Sequence, residues 1–420
     1  MATGAGRAAI AVMRVSGPDS ARILAGLSGS LPPPRRAVLR RLRDAGGAML
    51  DHGLVVWMPG PGSYTGEDSF ELSLHGGRAV LSGISNALIS LDSRPADPGE
   101  FTRRAFLNGR MDLLEAEAVG DLIDAETAAQ RTQALRQLDG KLGEIYRDWA
   151  DRLRWLLAQQ EALIDFPDED LPPEVEHRVF ADIAALRLEI VAHLDDGRRG
   201  ERLRDGLVFA VSGPPNVGKS SLVNALAERD VAIVSPVAGT TRDAIEVRIV
   251  LAGVPVTLVD TAGLRHSDDA VEAEGVRRAY ARAAQADFRL IVGDTSEGVA
   301  DATDAHSLRI CNKTDLGPPP AGTLGISVRT GAGMDRLNEA LAGAARQLTE
   351  ASGPPPLTRA RHRAALKGAL ERLEAAAMAE LPELRGEDLR LALRSIGRIT
   401  GEVGVEQLLG DIFGKFCIGK

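Results

Sequence analysis

Apolar positions recur along the chain with two different periods, and the change of period divides it. In the first hundred residues, short apolar runs alternate with turn residues. Residues 8–15, 53–58 and 69–74 read as strands, and the prolines and glycines at 32–34, 59–62 and 95–99 punctuate them as loops. This pattern predicts an α/β or α+β domain with a substantial antiparallel component. From about Asp112 the period lengthens. Leu135, Leu138, Leu142, Ile145, Trp149, Leu153 and Leu156 lie three or four apart, which puts them on one helical face, with a bend expected at Gly140 and Gly143. Pro167, Pro172 and Pro173 end that run, and a second helix is predicted over 175–194. Residues 207–213 form a compact apolar strand, and strand and helix signals then alternate to about Leu348. That alternation predicts a doubly wound, mostly parallel sheet. A hairpin interrupts it, 244–251 and 254–260, turning at Ala252-Gly253. Residues 352–356 read as a linker, and 359–413 are again helical, with Leu366, Leu370, Leu373, Leu389, Leu393 and Ile396 at helical spacing. Helical material therefore flanks a complete α/β unit, so the α/β domain is expected to be inserted into a helical one.

The strongest chemical signal lies inside that unit. Gly213-Pro-Pro-Asn-Val-Gly218-Lys219-Ser220 fits G-x-x-x-x-G-K-[ST], with a strand before it and a helix after it. Such a loop turns backbone N–H groups around phosphates, places the Lys219 ammonium on the β and γ phosphates, and offers the Ser220 hydroxyl to Mg²⁺. Further motifs follow in order. Asp260-Thr261-Ala262-Gly263 ends an apolar strand, bringing a carboxylate near Mg²⁺ and a glycine near the γ phosphate. Thr240 and Thr241 lie between, where a hydroxyl can complete the Mg²⁺ shell. Asn312-Lys313-Thr314-Asp315 follows the strand 308–311; Asp315 can accept from two guanine N–H donors that adenine lacks. Ser327-Val328-Arg329 ends the next strand, where an amide can meet guanine O6. Asn216, Val217 and Ser221 complete the nucleotide-binding set. This constellation predicts a GTP-binding domain of the translation-factor-like P-loop class.

Two details bear on hydrolysis. Leu264 stands where Ras-like proteins carry a Gln that orients the attacking water, so another polar group must act. Asp268, Asp269, Glu272 and Glu274 are at hand. Asn216, inside the loop, has two readings: an amide oxygen that holds a monovalent cation, or a side chain that stabilises the loop.

Composition adds limits. The formal net charge is −9, from 50 basic and 59 acidic residues, which argues against wrapping nucleic acid by bulk charge but not against a local basic patch. Basic clusters at 35–43, 198–204 and 359–363 read first as solvated faces. Cys311 and Cys417 cannot form a disulfide framework, which fits a reducing cytoplasm. Nothing approaches the roughly 18 apolar residues of a membrane span, and residues 1–15 show no secretion signal. Of the basic residues, 44 are Arg and only 6 are Lys: Lys141, Lys219, Lys313, Lys367, Lys415 and Lys420. In such a chain a Lys points to a site whose geometry demands an ammonium. Lys219 and Lys313 obey this; Lys141 and Lys367 have no motif nearby.

The terminal Phe416-Cys417-Ile418-Gly419-Lys420, with the inserted GTPase unit, resembles the bacterial tRNA modification GTPase (MnmE, or TrmE) family. So do Met13-Arg-Val-Ser-Gly17, Pro59-Gly-Pro-Gly-Ser-Tyr-Thr-Gly-Glu-Asp68, Leu74-His-Gly-Gly77, Pro98-Gly-Glu-Phe-Thr-Arg-Arg-Ala-Phe-Leu-Asn108, Leu122-Ile-Asp-Ala125 and Ile164-Asp-Phe-Pro-Asp-Glu169. The resemblance implies a multidomain α/β plus α fold. Residues 1–110 would form a tetrahydrofolate-binding-like α+β domain, 111–205 and 349–420 a helical domain, and 206–348 the inserted P-loop GTPase domain. It implies a cytoplasmic homodimer, not inserted in a membrane, that works on tRNA with the flavoprotein MnmG (GidA). FAD and NADH enter only through that partner, and a tetrahydrofolate supplies one carbon to the wobble uridine. It further implies K⁺ ligands at Asn216, Ser235, Val237 (through its carbonyl) and Thr240, and Mg²⁺ ligands at Ser220 and Thr241. Glu272 becomes the catalytic carboxylate, and Arg14, Glu71, Arg110 and Lys420 contact the folate. Cys417 can be read as a reactive thiol or as packing. The family usually begins with an extra Thr-Ile-x-Ala segment, so the expectation is either a missing first strand or a misplaced start; Ser235 and Arg110 stand where Thr and Lys are common. Ribosome-associated GTPases such as Era and Der fit less well, because the chain has one GTPase unit and no KH-like Gly-x-x-Gly after it.

Overall fold

The computed structural model describes residues 1–4, 8–165, 173–229, 246–260, 283–301, 306–350, 355–403, 406–414, 416 and 419. Contacts divide the chain into two compact units: Met1–Gly120 with Gly143–Ala150 and Ile396–Lys420, and Asp121–Leu142 with Asp151–Ser395.

In the first unit the chain runs β1 (Ile10–Ser16), α1 (Ser20–Ser28), β2 (Ala37–Arg43), β3 (Met49–Met58), β4 (Ser69–His75), α2 (Arg78–Ser90) and α3 (Glu100–Leu107). The strands form one antiparallel sheet in the order β1-β4-β3-β2. Period-two alternation turns Met13, Val55, Trp57, Phe70, Leu72 and Leu74 to one face, where Ile23, Leu24 and Leu27 of α1 and Ile84 and Leu88 of α2 cover them. The three strands read from the sequence are present: β3 begins four residues earlier and β4 ends one later than read, while β1 begins two residues later and ends one later. β2 was not anticipated: 35–43 read as a basic cluster, and only Leu42 of this edge strand is buried. Farther along, α4 (Leu113–Asp124) contributes Leu113 and Ala116 to a small core with Leu409 and Phe413 of the last helix, Glu406–Phe413. Phe416 of the C-terminal signature stacks on Phe413 at 5.6 Å between centroids.

The second unit contains α5 (Ala128–Leu138), part of α6 (Lys141–Asp165), α7 (Pro173–Leu194) and α8 (Arg199–Asp205). Thr127 and Gln130 cap α5 reciprocally at its start. The predicted bend is a full break: α5 stops at Leu138, Gly140 adopts φ 79°, and α6 restarts at Lys141. Gly143 lies inside α6 without interrupting it. Then come β5 (Leu207–Ser212), α9 (Lys219–Arg229), β6 (Glu246–Leu251), β7 (Val254–Asp260), β8 (Phe288–Asp294), β9 (Ser307–Asn312), β10 (Leu324–Gly325) and α10 (Met334–Thr349). The sheet order is β10-β9-β8-β5-β7-β6, parallel except for the β6–β7 hairpin. Its central strands β5 and β7 carry buried apolar residues on both faces, as a sheet covered by helices requires. α11 (Ala360–Met378) packs along α7, and α12 (Pro382–Thr400) follows; the helix Glu406–Phe413 is α13. An α/β sheet inserted between helical segments is therefore the observed architecture, as expected.

Candidate functional site

The carboxyl ends of β5, β7, β8 and β9 carry the chemistry, as parallel α/β sheets generally arrange it. After β5 the phosphate loop turns into α9. Gly213 has φ 142°, and a Cβ there would lie 1.9 Å from the Val292 carbonyl oxygen; at Gly218, φ 94°, it would lie 2.4 Å from Asn312 Nδ2. Both positions demand glycine, because neighbouring strands occupy the space. Lys219 is only 4% exposed, and its Nζ donates to the carbonyls of Gly213 (2.9 Å) and Pro214. The ammonium thus lies folded back on the loop at the start of α9, where the helix dipole also favours an anion. Ser220 Oγ donates to Asp260 Oδ2 at 2.5 Å, so the hydroxyl from the loop and the carboxylate ending β7 converge. Two hard oxygen donors so placed fit Mg²⁺, directly or through its waters.

Asn216 occupies the left-handed region, φ 64°, a conformation Asn tolerates better than most residues. Its side chain is exposed and makes no hydrogen bond among the described residues. Of its two readings, loop stabilisation therefore has no contact behind it, and the amide stands open to a ligand.

The base end is built from β9 and the turn after β10. Asn312 is buried; its Nδ2 donates to the Val217 carbonyl at 2.9 Å, and its Oδ1 accepts from the Val328 amide at 3.2 Å. It ties the phosphate loop to the base-side turn. Asp315 is exposed, and its Oδ1 accepts from Ser327 Oγ at 2.7 Å. That hydroxyl holds the carboxyl below its ordinary range, so it stays an acceptor at neutral pH. In the 327–332 turn the amides of Ser327, Val328, Thr330, Gly331 and Ala332 are all engaged. The Arg329 amide is the one left for a base oxygen among these described residues.

One residue, Asp294, escaped sequence reasoning. Lys313, at φ 61°, donates from Nζ to Asp294 Oδ2 at 2.7 Å. Asp294, at the end of β8, also accepts from the Ser296 hydroxyl and from the amides of Ser296 and Glu297. Lys313, followed by these donors, holds its carboxyl far below the usual carboxylate range. The available signal was an acid closing an apolar strand, the same signal that marked Asp260.

In the N-terminal sheet, Arg14 and Glu71 are cross-strand partners joined at 2.6 and 2.9 Å. The Arg14 guanidinium lies over the rings of Tyr64 (5.3 Å) and Phe101 (5.8 Å) and borders a cavity of about 320 Å³. Arg110 does not border this cavity; its stem lies against Gly66. Met1 also borders the cavity, and its carbonyl oxygen abuts Gly419 of the terminal signature. Ser235, Val237, Thr240, Thr241, Thr261, Ala262, Gly263, Leu264, Glu272, Cys417 and Lys420 lie outside the described residues. No group of three or more His, Cys, Asp or Glu able to hold a metal occurs among the described residues, and none of their helices is long and apolar enough to cross a membrane.

Comparison with known proteins now decides the kinship. Residues 1–110 match the family described as GTP-binding protein TrmE N-terminus, and 113–417 match the MnmE helical domain. The tRNA modification GTPase MnmE of Gluconacetobacter diazotrophicus is 62% identical over 100% of this chain and 98% of its own. The chain belongs to the MnmE family. Its MnmE relative in Granulibacter bethesdensis is 56% identical over 100% of this chain and 98% of that one. Among solved structures, the FeoB G domain of Methanococcus jannaschii covers 33% of this chain and 98% of that one, at 23% identity and a TM-score of 0.24. As an MnmE protein the chain is a GTPase.

Proposed function

We propose that this MnmE protein is the GTP-hydrolysing subunit of a cytoplasmic complex that modifies the wobble uridine of certain tRNAs at C5. A homodimer would work with the flavoprotein MnmG, which brings FAD and NADH, and would add an aminomethyl or carboxymethylaminomethyl group using one carbon from a tetrahydrofolate. Kinship over the whole chain with tRNA modification GTPases carries the reading.

In this reading residues 206–348 are the GTPase domain, 1–110 the folate-binding one, and 111–205 with 349–420 the helical one. Ser220 and Thr241 hold Mg²⁺, which neutralises phosphate charge. Asn216, Ser235, Val237 and Thr240 hold K⁺. Asp315 and the Arg329 amide read guanine, Lys219 meets the phosphates, and Glu272 acts on the attacking water. Arg14 and Glu71, with Arg110 and Lys420, hold the folate. The aromatic faces beside Arg14 suit a flat heterocycle.

Nucleoside analysis of tRNA from a strain lacking this gene tests the proposal. The modified wobble uridine should vanish and return on complementation. Unchanged modification would reject the reading. Binding of a reduced folate to the purified chain tests the folate part separately; a chain that complements without binding folate would keep the GTPase role and lose the folate one.

A further inference from the structure

A cavity of about 630 Å³ lies in the second unit, away from the phosphate loop. It is bordered by α5, the first turn of α6, the start of α8, the end of α10 and the segment 355–358. α8 leads into β5, and α10 with 355–358 leads out to α11, so the cavity sits where the chain enters and leaves the inserted domain. Arg136, Lys141 and Arg199 line it, and none of the described residues lining it is acidic. That is unusual for this region. Nearby Arg198, Arg202, Arg204, Arg359 and Arg363 each hold a carboxylate within 2.8 Å. Arg136, Lys141 and Arg199 hold none among the described residues. Lys141 is also one of the chain's 6 lysines and had no motif to explain it.

The same wall carries unused polar atoms. Thr358 is 3% exposed, and its hydroxyl has no hydrogen-bond partner among the described residues. The Gln133 amide donates to the Gly200 carbonyl at 2.9 Å, while its buried oxygen has no partner among the described residues. Buried polar atoms without partners cost free energy, so each one marks a place where a ligand group gains by arriving. Pro355 and Pro356 add an apolar wall. The volume lies within the range of roughly 300–1,000 Å³ typical of small-molecule sites.

We propose that this cavity binds a small polyanionic molecule of about nucleotide size, its phosphates or carboxylates on Arg136, Lys141 and Arg199 and its neutral polar groups on Thr358 and Gln133. Such a ligand would brace α5 and α8 against the segment that leaves the inserted domain. An RNA backbone suits the site less, because Thr358 is buried and the phosphates of a strand reach exposed side chains.

The test is calorimetric titration of the full chain with inorganic tripolyphosphate while GDP is in excess over the phosphate loop. One site should remain titratable with GDP present. Arg136→Glu with Lys141→Glu, both on exposed side chains, should weaken it by about tenfold or more, while Lys141→Arg should preserve it. Thr358→Val should weaken it severalfold; unchanged affinity with a higher melting temperature would show an unpaired hydroxyl with no ligand role and overturn the Thr358 contact. Absence of a second site, or unchanged affinity in the double variant, would overturn the proposal. A tRNA transcript titrated in parallel separates the phosphate sources. Loss of tRNA affinity in the double variant, with no tripolyphosphate binding to wild type, would reassign the patch to RNA and reject the small-molecule site.

Discussion

In the proposed reading, one carboxylate, that of Asp315, carries the choice of nucleotide. Ser327 occupies Oδ1 and keeps the group ionised, so the side chain offers acceptors and no donor. Asp315→Asn puts a donor where guanine also donates; GTP affinity should fall by about tenfold or more, measured by nucleotide titration, while XTP, which accepts there, should gain. A variant that still prefers GTP would remove Asp315 from base recognition. Asn216 supports a second expectation: an open amide at the loop and no Gln after Gly263 mean that turnover should need K⁺ and be poorly supported by Na⁺. Equal rates in the two salts would refute it. Glu272→Ala should leave GTP binding intact and collapse hydrolysis, since it is assigned to the water and not to the nucleotide; wild-type turnover in that variant would return the role to its acidic neighbours. Asn312, Asp315 and Lys219 were legible in the sequence because fixed spacing ties them to glycines and strands. Asp294 was not, because its partner Lys313 is 19 residues away and only the sheet brings them together.

Among the elements, apolar alternation revealed the buried strands and missed the edge. β2 places Arg40, Arg41 and Arg43 along the sheet margin, a device that discourages edge pairing and erases the apolar signal of a strand. The α5–α6 break was half legible: glycine at 140 indicated weakness, but the left-handed turn that separates two helices is a backbone property. α3 yields a pH expectation. Burial pushes the Glu100 carboxyl up, but Arg94, the Asp97 amide and Arg104 outweigh it and bring it down to about 2, from an ordinary 4.5. A carboxyl whose pKa is lower when folded stabilises the fold above its unfolded value and loses that contribution as pH falls. Urea unfolding should therefore show stability dropping as pH falls from about 4.5 towards about 2, with Glu100→Gln less stable at neutral pH and flatter over that window. Parallel pH profiles for variant and wild type would show that the cluster contributes nothing.

For the molecule as a whole, the inserted domain must be held where its two connections cross into helical material. The basic clusters 198–204 and 359–363, which read as solvated faces, turn out to be that fastening. Arg202 bonds Asp287 at 2.8 Å, and Asp287 also accepts from the Val208 amide at 3.0 Å, at the start of the first sheet strand. Arg363 reaches Asp196 (2.5 Å) and Glu201 (2.8 Å). Arg204 and Arg359, one from each connection, share Oδ1 of Asp121 at 2.8 and 2.7 Å. The carboxylates lie up to 238 residues from the arginines they hold, which is why the sequence showed only the basic half. A carboxylate shared by two guanidiniums and largely shielded from water is costly to remove, because both cations then lose a compensating charge. Asp121→Ala should lower stability by about 2–3 kcal/mol in urea unfolding, within the range for breaking partly buried pairs. Asp121 belongs to none of the nucleotide motifs, so GDP affinity at low denaturant should be unchanged. Unaltered unfolding would mean that packing alone holds the junction, and altered GDP affinity in the folded variant would mean that the fastening and the nucleotide site are one coupled structure.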